Sequence, residues 1–209
     1  MDGLLIDSEP LWSEAASDVF SEFQLTITPA QYASSMGLRT KEFVHHWFSH
    51  FNITMDKAPE TVTRIEDRVK ELVRAKGRAM PGVAHIFNFF LDKKFRIGLA
   101  SSSGSGLIIQ VMDQLGIKRH IHVFTSAELL ERGKPHPEVY LNCAAMLGAE
   151  PAECLCFEDS YNGMIAAKAA RMKCVIVPSH HENQRLVWHA ADLKISSLQN
   201  FNELLLYSL

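Results

Sequence analysis

Cys154-Leu155-Cys156-Phe157-Glu158-Asp159-Ser160 is an apolar run of strand length that ends in two carboxylates and a hydroxyl. Helical periodicity brackets it, at 137–147 before and 161–170 after. The alternation repeats outward in both directions. Phe95–Ala100 follows a helical stretch at 82–92, His122–Thr125 follows one at 105–115, and Cys174–Val177 follows the one at 161–170. Short apolar runs alternating with helices predict a parallel sheet buried on both faces.

Ahead of Met80-Pro81-Gly82 the texture differs. Leu11, Ala15, Val19 and Phe23 recur at helical spacing over 11–23, and Phe43, Val44, Trp47, Phe48 and Phe51 do so over 40–51. Residues 60–76 carry the clearest amphipathic stripe, Val62, Ile65, Val69, Leu72 and Val73, with Glu66 and Lys70 as an i,i+4 pair. No strand pattern occurs between 10 and 78. The expected fold is therefore α/β, a Rossmann-like parallel sheet core over 1–9 and 79–209, interrupted by an inserted helical block over 10–78.

A chain of 209 residues has room for one domain with a large insertion or for two small ones. Apolar content of 47% with 22% charge is that of an ordinary soluble protein. A net charge of -3 provides no footprint for nucleic acid and no polybasic patch for a membrane. No apolar run approaches the ~20 residues of a membrane span. Asp2, Asp7 and Glu9 interrupt any leader-like segment. Cys143, Cys154, Cys156 and Cys174 contain no Cys-x2-Cys pair for zinc, so they read as buried thiols of a reducing compartment and favour the cytoplasm.

In open parallel sheets, ligands bind beyond the carboxyl ends of the strands. Strand 95–100 ends in Ser101-Ser102-Ser103-Gly104, strand 154–157 ends in Glu158-Asp159-Ser160, and Gly133-Lys134-Pro135-His136-Pro137 opens a helix between them. Hydroxyls, a lysine and two carboxylates on one rim are what a phosphate with a divalent cation requires. Each piece also has a plainer reading. Ser101 is a helix-capping serine, Lys134 is a solvated loop lysine, and Asp159 or Ser160 caps the next helix.

Taken together, Leu99-Ala100-Ser101-Ser102-Ser103, Lys134-Pro135-His136-Pro137 and Glu158-Asp159-Ser160-Tyr161-Asn162-Gly163 resemble motifs of the haloacid dehalogenase-like hydrolases, in that family's order and spacing. Asp2-Gly3 resembles the second half of the family's Asp-x-Asp-Gly signature. The resemblance covers essentially the whole chain, and the block at 10–78 fits the family's α-helical cap. More narrowly, the chain is similar to bacterial 2-deoxyglucose-6-phosphate and hexitol phosphatases. Gly3 through Trp12, Lys134 through Leu141, Asn162 through Ala166 and Lys168 through Met172 carry that closer likeness.

The resemblance implies a Mg²⁺-dependent phosphatase for small phosphorylated sugars or sugar alcohols, a monomer by family default. Asp2 would serve as acid and base, with its carbonyl touching the metal. Ser101, Ser102 and Lys134 would hold the transferring phosphoryl group. Asp159 would be the main side-chain metal ligand, and Glu158 a second one, direct or through water. The family's nucleophilic Asp would fall one position before Met1, on a first strand lying mid-sheet. The expectation is a sheet with its first core strand missing or incomplete, and a natural chain that begins upstream of Met1. A catalytically inactive relative that keeps the fold is the alternative. A sugar-phosphate mutase is a further one, disfavoured because Trp12 stands where related phosphoglucomutases carry a histidine.

Other features are weaker. Arg39, at the start of the second long helix, is either a substrate contact of such a cap or a salt-bridged surface arginine. His46 and His50 have i,i+4 metal-ligand spacing without a carboxylate partner, and His180-His181 falls in a loop. Gly104-Ser105-Gly106 lacks the third glycine of a dinucleotide loop.

Overall fold

The computed structural model describes residues 1–35 and 37–209. Among the described residues, four α-helices form the block expected from the first periodicities. Helix α1 (Glu9–Ser21) carries Pro10 in its first turn and buries Leu11, Ala15, Ala16, Val19 and Phe20. Helix α2 (Pro29–Ser34) is short and fixed by a capping box between Thr28 and Gln31. Helix α3 (Thr40–His50) buries Phe43, Val44, Trp47 and Phe48. Helix α4 (Ala58–Lys76) buries Ile65, Val69, Leu72 and Val73. The ring of Phe20 lies 5.8 Å from Phe43 and 5.9 Å from Phe48, which joins α1 to α3. The expected Glu66–Lys70 pair does not form. Lys70 reaches Asp67 at 3.0 Å instead, and Glu66 takes a hydrogen bond from Thr40.

The remainder alternates as expected: α5 (Val83–Asp92), β1 (Gly98–Ser101), α6 (Ser105–Gln114), β2 (Val123–Ser126), α7 (Glu138–Leu147), β3 (Leu155–Glu158), α8 (Tyr161–Ala169), β4 (Lys173–Ile176), β5 (Leu193–Lys194) and α9 (Glu203–Tyr207). All strand pairs are parallel. Gly98 stands opposite Val123, Leu155 opposite Lys173, and Val175 opposite Leu193. The first of these strands starts later than the apolar run at 95 suggests, because Phe95 and Arg96 lie outside it.

The five strands make two sheets, β1-β2 and β3-β4-β5. Among the described residues no ladder joins β1 to β3. Ile97 O accepts from His122 N at 2.8 Å and Ser101 O from Ala127 N at 2.9 Å. Backbone groups alternate in direction along a strand. The amide and carbonyl groups of Gly98 and Ala100 therefore point away from β2. Likewise Cys154 O accepts from Lys173 N at 3.1 Å and Glu158 O from Val177 N at 2.7 Å, which turns Leu155 and Phe157 away from β4. Between these inner edges lies a cavity of about 350 Å³. Ile86, Phe87 and Phe90 of α5 and Tyr140, Cys143 and Leu147 of α7 line it. Each buried backbone group left without a partner costs about 1–3 kcal/mol.

Candidate active site

Both sheets direct their carboxyl ends to one place. Asp2, Ser101, Ser102, Ser103, Lys134, Glu158, Asp159 and Ser160 line a second cavity, roofed by Trp12, Tyr32, Gly37 and Phe43 of the helical block. Six of the seven residues expected at the site therefore meet. The exception is Arg39, whose guanidinium turns aside. It donates to the carbonyls of Ala127 (3.1 Å), Leu130 (2.5 Å) and Glu131 (3.2 Å), and pairs with Glu42 at 2.6 Å. Arg39 is thus a cross-link between the start of α3 and the loop after β2, and it does not line the cavity.

Asp2 is held from three sides. Its Oδ1 accepts from Ser8 Oγ at 2.7 Å and Trp12 Nε1 at 2.9 Å, and its Oδ2 from Ser103 Oγ at 2.6 Å. The next residue, Gly3, has φ +64° and packs where a Cβ would stand 2.1 Å from Asp159 Oδ2. Only glycine fits this turn, and its bareness lets Asp2 and Asp159 approach each other.

Glu158 is consumed by structure. Its Oε1 accepts from Lys134 Nζ at 2.5 Å and from the Tyr140 hydroxyl. Its Oε2 accepts from the amides of Asp159 (3.1 Å) and Ser160 (3.2 Å) and from Ser160 Oγ (3.0 Å). Gly163 leaves the room, since a Cβ there would lie 2.1 Å from Glu158 Oε2. Burial alone would raise the Glu158 carboxyl, but the Lys134 charge and the hydrogen bonds hold it at about 2. Burial lowers Lys134 in its turn, yet Glu158 outweighs this and keeps the amine charged. Lys134 Nζ also sits 4.7 Å from the centre of the Tyr140 ring.

Asp159 behaves in the opposite way. Burial first, then repulsion from Glu158 and Asp2, pushes it up to about 7. Its carboxylate takes no hydrogen bond from the described residues. Glu9, whose carboxyl end faces the same cavity, is pushed up to about 8 by burial and by Asp159 and Asp2. Three carboxyls thus crowd one small space without enough positive charge, an arrangement that favours a divalent cation. The Asp159 carboxylate and the Asp2 backbone carbonyl are the groups that fit such an ion, since both Asp2 carboxylate oxygens already accept hydrogen bonds. Glu158 has both oxygens engaged and fits only through water. Among the described residues no set of three His, Cys, Asp or Glu side chains is pre-arranged as a metal cage.

Several participants escaped the sequence reading. Glu9 and Ser103 sit inside motifs already quoted, but nothing marked their side chains as facing Asp2. Tyr140 lies on α7 with no pattern to distinguish it from core. His46 and His50 pack edge-on against Trp47, with ring centres 4.7 and 5.3 Å away, on the exposed side of α3. Cys143, Cys154, Cys156 and Cys174 are free thiols, three of them buried. Among the described residues no helix is long and apolar enough to cross a membrane.

A parallel α/β core with a lysine, serines and acidic residues at its carboxyl rim, roofed by helices, defines a class, and comparison with known proteins agrees. The haloacid dehalogenase-like hydrolase family model matches residues 1–177, and the chain belongs to that family. It is 38% identical over 199 residues to hexitol phosphatase B of Escherichia coli (strain K12), covering 95% of this chain and 90% of that protein. Its fold is similar to that of CbbY from Rhodobacter sphaeroides, solved with phosphate (TM-score 0.87, 19% identity, 96% of this chain and 92% of the other). It is also similar to β-phosphoglucomutase from Clostridium difficile (TM-score 0.87, 20% identity, 99% and 92%).

Proposed function

We propose that this chain is a Mg²⁺-dependent phosphatase of small sugar phosphates, of the hexitol phosphate or 2-deoxyglucose 6-phosphate type, working in the cytoplasm. The observation that carries the reading is the meeting of Asp2, Ser101, Lys134 and Asp159 in one cavity beneath the helical block. Its likeness to hexitol phosphatase B supports the substrate class. We read 1–9 and 79–209 as the core and 10–78 as the cap.

Lys134, kept charged by Glu158, neutralises the phosphoryl oxygens, and Ser101 donates to them. Asp2 handles the proton, giving it to the leaving alcohol as the P–O bond to that oxygen breaks, and taking one from the water whose oxygen bonds to phosphorus. Ser8, Trp12 and Ser103 aim its carboxylate. Asp159, with the Asp2 carbonyl, would hold Mg²⁺, and Glu158 would act on it through water. When bound, the ion supplies charge neutralisation for the transferring group. Trp12 supports hydrolysis over mutase chemistry, because its indole is committed to Asp2.

The test is phosphate release from p-nitrophenyl phosphate and then from a panel of hexose and hexitol phosphates, with and without Mg²⁺. Asp2→Asn is expected to lower kcat by ~10²–10⁴-fold with its fold intact. Turnover that ignores both Mg²⁺ and Asp2→Asn would sink the reading. Bisphosphate-dependent isomerisation without phosphate release would replace it with the mutase.

A further inference from the structure

We infer that Glu9 and Tyr32 form a hydroxyl-recognition subsite beside the leaving oxygen, one that takes phosphate esters bearing a neutral hydroxyl within two carbons of the ester and turns away those bearing a carboxylate there. The subsite rests on the phosphatase reading for the place of the leaving oxygen.

Glu9 opens α1 and Tyr32 lies on α2, and both stand half-buried in the roof of the cavity. Every other polar side chain that the helical block contributes to the lining is already hydrogen-bonded. Trp12 Nε1 donates to Asp2 at 2.9 Å. Ser35 Oγ donates to Tyr32 O at 3.0 Å and accepts from Trp47 Nε1 at 3.2 Å. Thr40 donates to Glu66. Among the described residues the Glu9 carboxylate and the Tyr32 hydroxyl make no hydrogen bond.

Asp2 fixes where along the substrate the two groups act. Burial first, then the charges of Glu9 and Asp2, push the Tyr32 hydroxyl up, so it keeps its proton and remains a donor. Glu9 in its turn is crowded by Asp159 and Asp2. Both groups therefore neighbour Asp2, which protonates the leaving alcohol. The part of the substrate next to that oxygen stands between them.

A hydroxyl suits the pair, because it donates to the Glu9 carboxylate and accepts from the Tyr32 hydroxyl. A methyl group leaves both unpaired, and a site built around hydrogen bonds rejects a ligand that cannot make them. A carboxylate accepts from Tyr32 but enters a space that already holds Glu9, Asp2 and Asp159. Among the described residues Lys134 is the one cationic side chain lining the cavity, and it is engaged by Glu158 at 2.5 Å. Arg39 is turned to carbonyls outside it. A second anion thus finds no counter-charge, whichever of the three carboxyls holds a proton.

The experiment compares three esters of matched length: glycerol 3-phosphate, 3-phosphoglycerate and propyl phosphate. Hydrolysis of p-nitrophenyl phosphate checks the phosphatase reading by itself. Glycerol 3-phosphate is expected to exceed both of the others in kcat/KM by about tenfold or more. Glu9→Gln keeps an acceptor and removes the charge. It is expected to shrink the preference over 3-phosphoglycerate by about tenfold and to keep most of that over propyl phosphate. Glu9→Leu is expected to shrink both preferences, and Tyr32→Phe to lower the one over propyl phosphate by about fivefold. Ratios among esters on one preparation do not depend on the fraction of protein that is active. Equal use of the three esters by the unmodified chain overturns the proposal, and so do ratios unchanged in Glu9→Gln and Glu9→Leu. A loss of equal size for all three places Glu9 at the phosphoryl end and overturns it as well. If p-nitrophenyl phosphate is not hydrolysed, the phosphatase reading falls, and titration calorimetry with the same esters decides the subsite. Tighter binding of glycerol 3-phosphate, weakened by Glu9→Leu, supports it; no order among the three, or no binding, overturns it.

Discussion

Lys134 and Glu158 have side chains only 6% and 5% exposed, and each is the other's reason for remaining charged. Removing one partner of a buried ion pair strands the other charge. Lys134→Met is therefore expected to destabilise the fold by about 3–5 kcal/mol in urea titration, as well as to abolish phosphate handling. A loss under ~1 kcal/mol would mean that water reaches Glu158 and that the pair is a surface contact in disguise. The other carboxyls give a pH dependence of opposite sign. Glu158 is held at about 2, so its stabilisation is present above the ordinary carboxylate range and is lost as pH falls toward 2. Asp159 and Glu9 are raised to about 7 and about 8, so the stability tied to their protonated forms is present at acid pH and is lost as pH rises through those values. The melting temperature in EDTA is therefore expected to peak near the ordinary carboxylate pKa and to decline toward pH 8. Mg²⁺ is expected to remove the decline, since it favours the ionised forms. A metal-free melting temperature that climbs from pH 5 to 8 would contradict the assignment of Asp159. At this scale the sequence was readable for identity and not for direction. Ser101, Lys134 and Asp159 stood out by their place after strands. The difference between Glu158, saturated, and Asp159, unsatisfied, depends on Tyr140 and Gly163, which only the packing brings together.

Helix α3 shows what periodicity conveys and what it leaves out. The stripe Phe43, Val44, Trp47 and Phe48 was legible and is buried as read. The fate of Arg39 at its start was not, because a guanidinium on a helix end suits a ligand and a carbonyl cluster equally well. In the structure it binds three carbonyls of the 127–131 segment, and Gly133 packs against it so closely that a Cβ would lie 2.8 Å from Arg39 Nε and from Glu42 Oε2. That segment leads directly into Lys134. Arg39 therefore fastens α3 to the loop that positions Lys134. Arg39→Gln is expected to speed amide exchange across 127–133 and to raise KM and lower kcat together, by about tenfold each. A pure rise in KM with unchanged exchange would return Arg39 to the role of substrate contact. The short elements β5, α2 and α9 were not legible at all. Two to six residues are too few for any period to show, and tertiary contacts or local caps decide them.

Across the whole molecule, the cavity over Asp2 and Lys134 measures about 90 Å³. An apolar cavity of about 150 Å³ holds a benzene ring, so a hexose or hexitol phosphate does not fit here as the helices stand. Among the described residues the roof is tied to the core by individual polar contacts, among them Trp12 Nε1 to Asp2 at 2.9 Å and Gln110 and Gln114 Nε2 to the carbonyls of Lys70 (2.8 Å) and Val73 (2.9 Å). Ser102 Oγ donates to Gly37 O at 3.2 Å, Gly133 N donates to Glu42 at 3.4 Å, and Arg39 makes the carbonyl contacts already described. Polar ties of this kind are worth about 0.5–1.5 kcal/mol apiece, small enough for substrate binding to repay. The helical block is thus expected to swing away from the rim to admit substrate and to return over it, which excludes water during transfer. A dye pair on His45→Cys, exposed on α3, and Met146→Cys, exposed on α7, reports the separation of the two parts. Hexitol phosphate with Mg²⁺ is expected to narrow a broad distance distribution toward a single short value, and Arg39→Gln to shift the free protein toward the long one. A distribution that is already single and unmoved by substrate, in a preparation that turns over, would mean that substrate enters by another route, and the roof would then be a fixed wall.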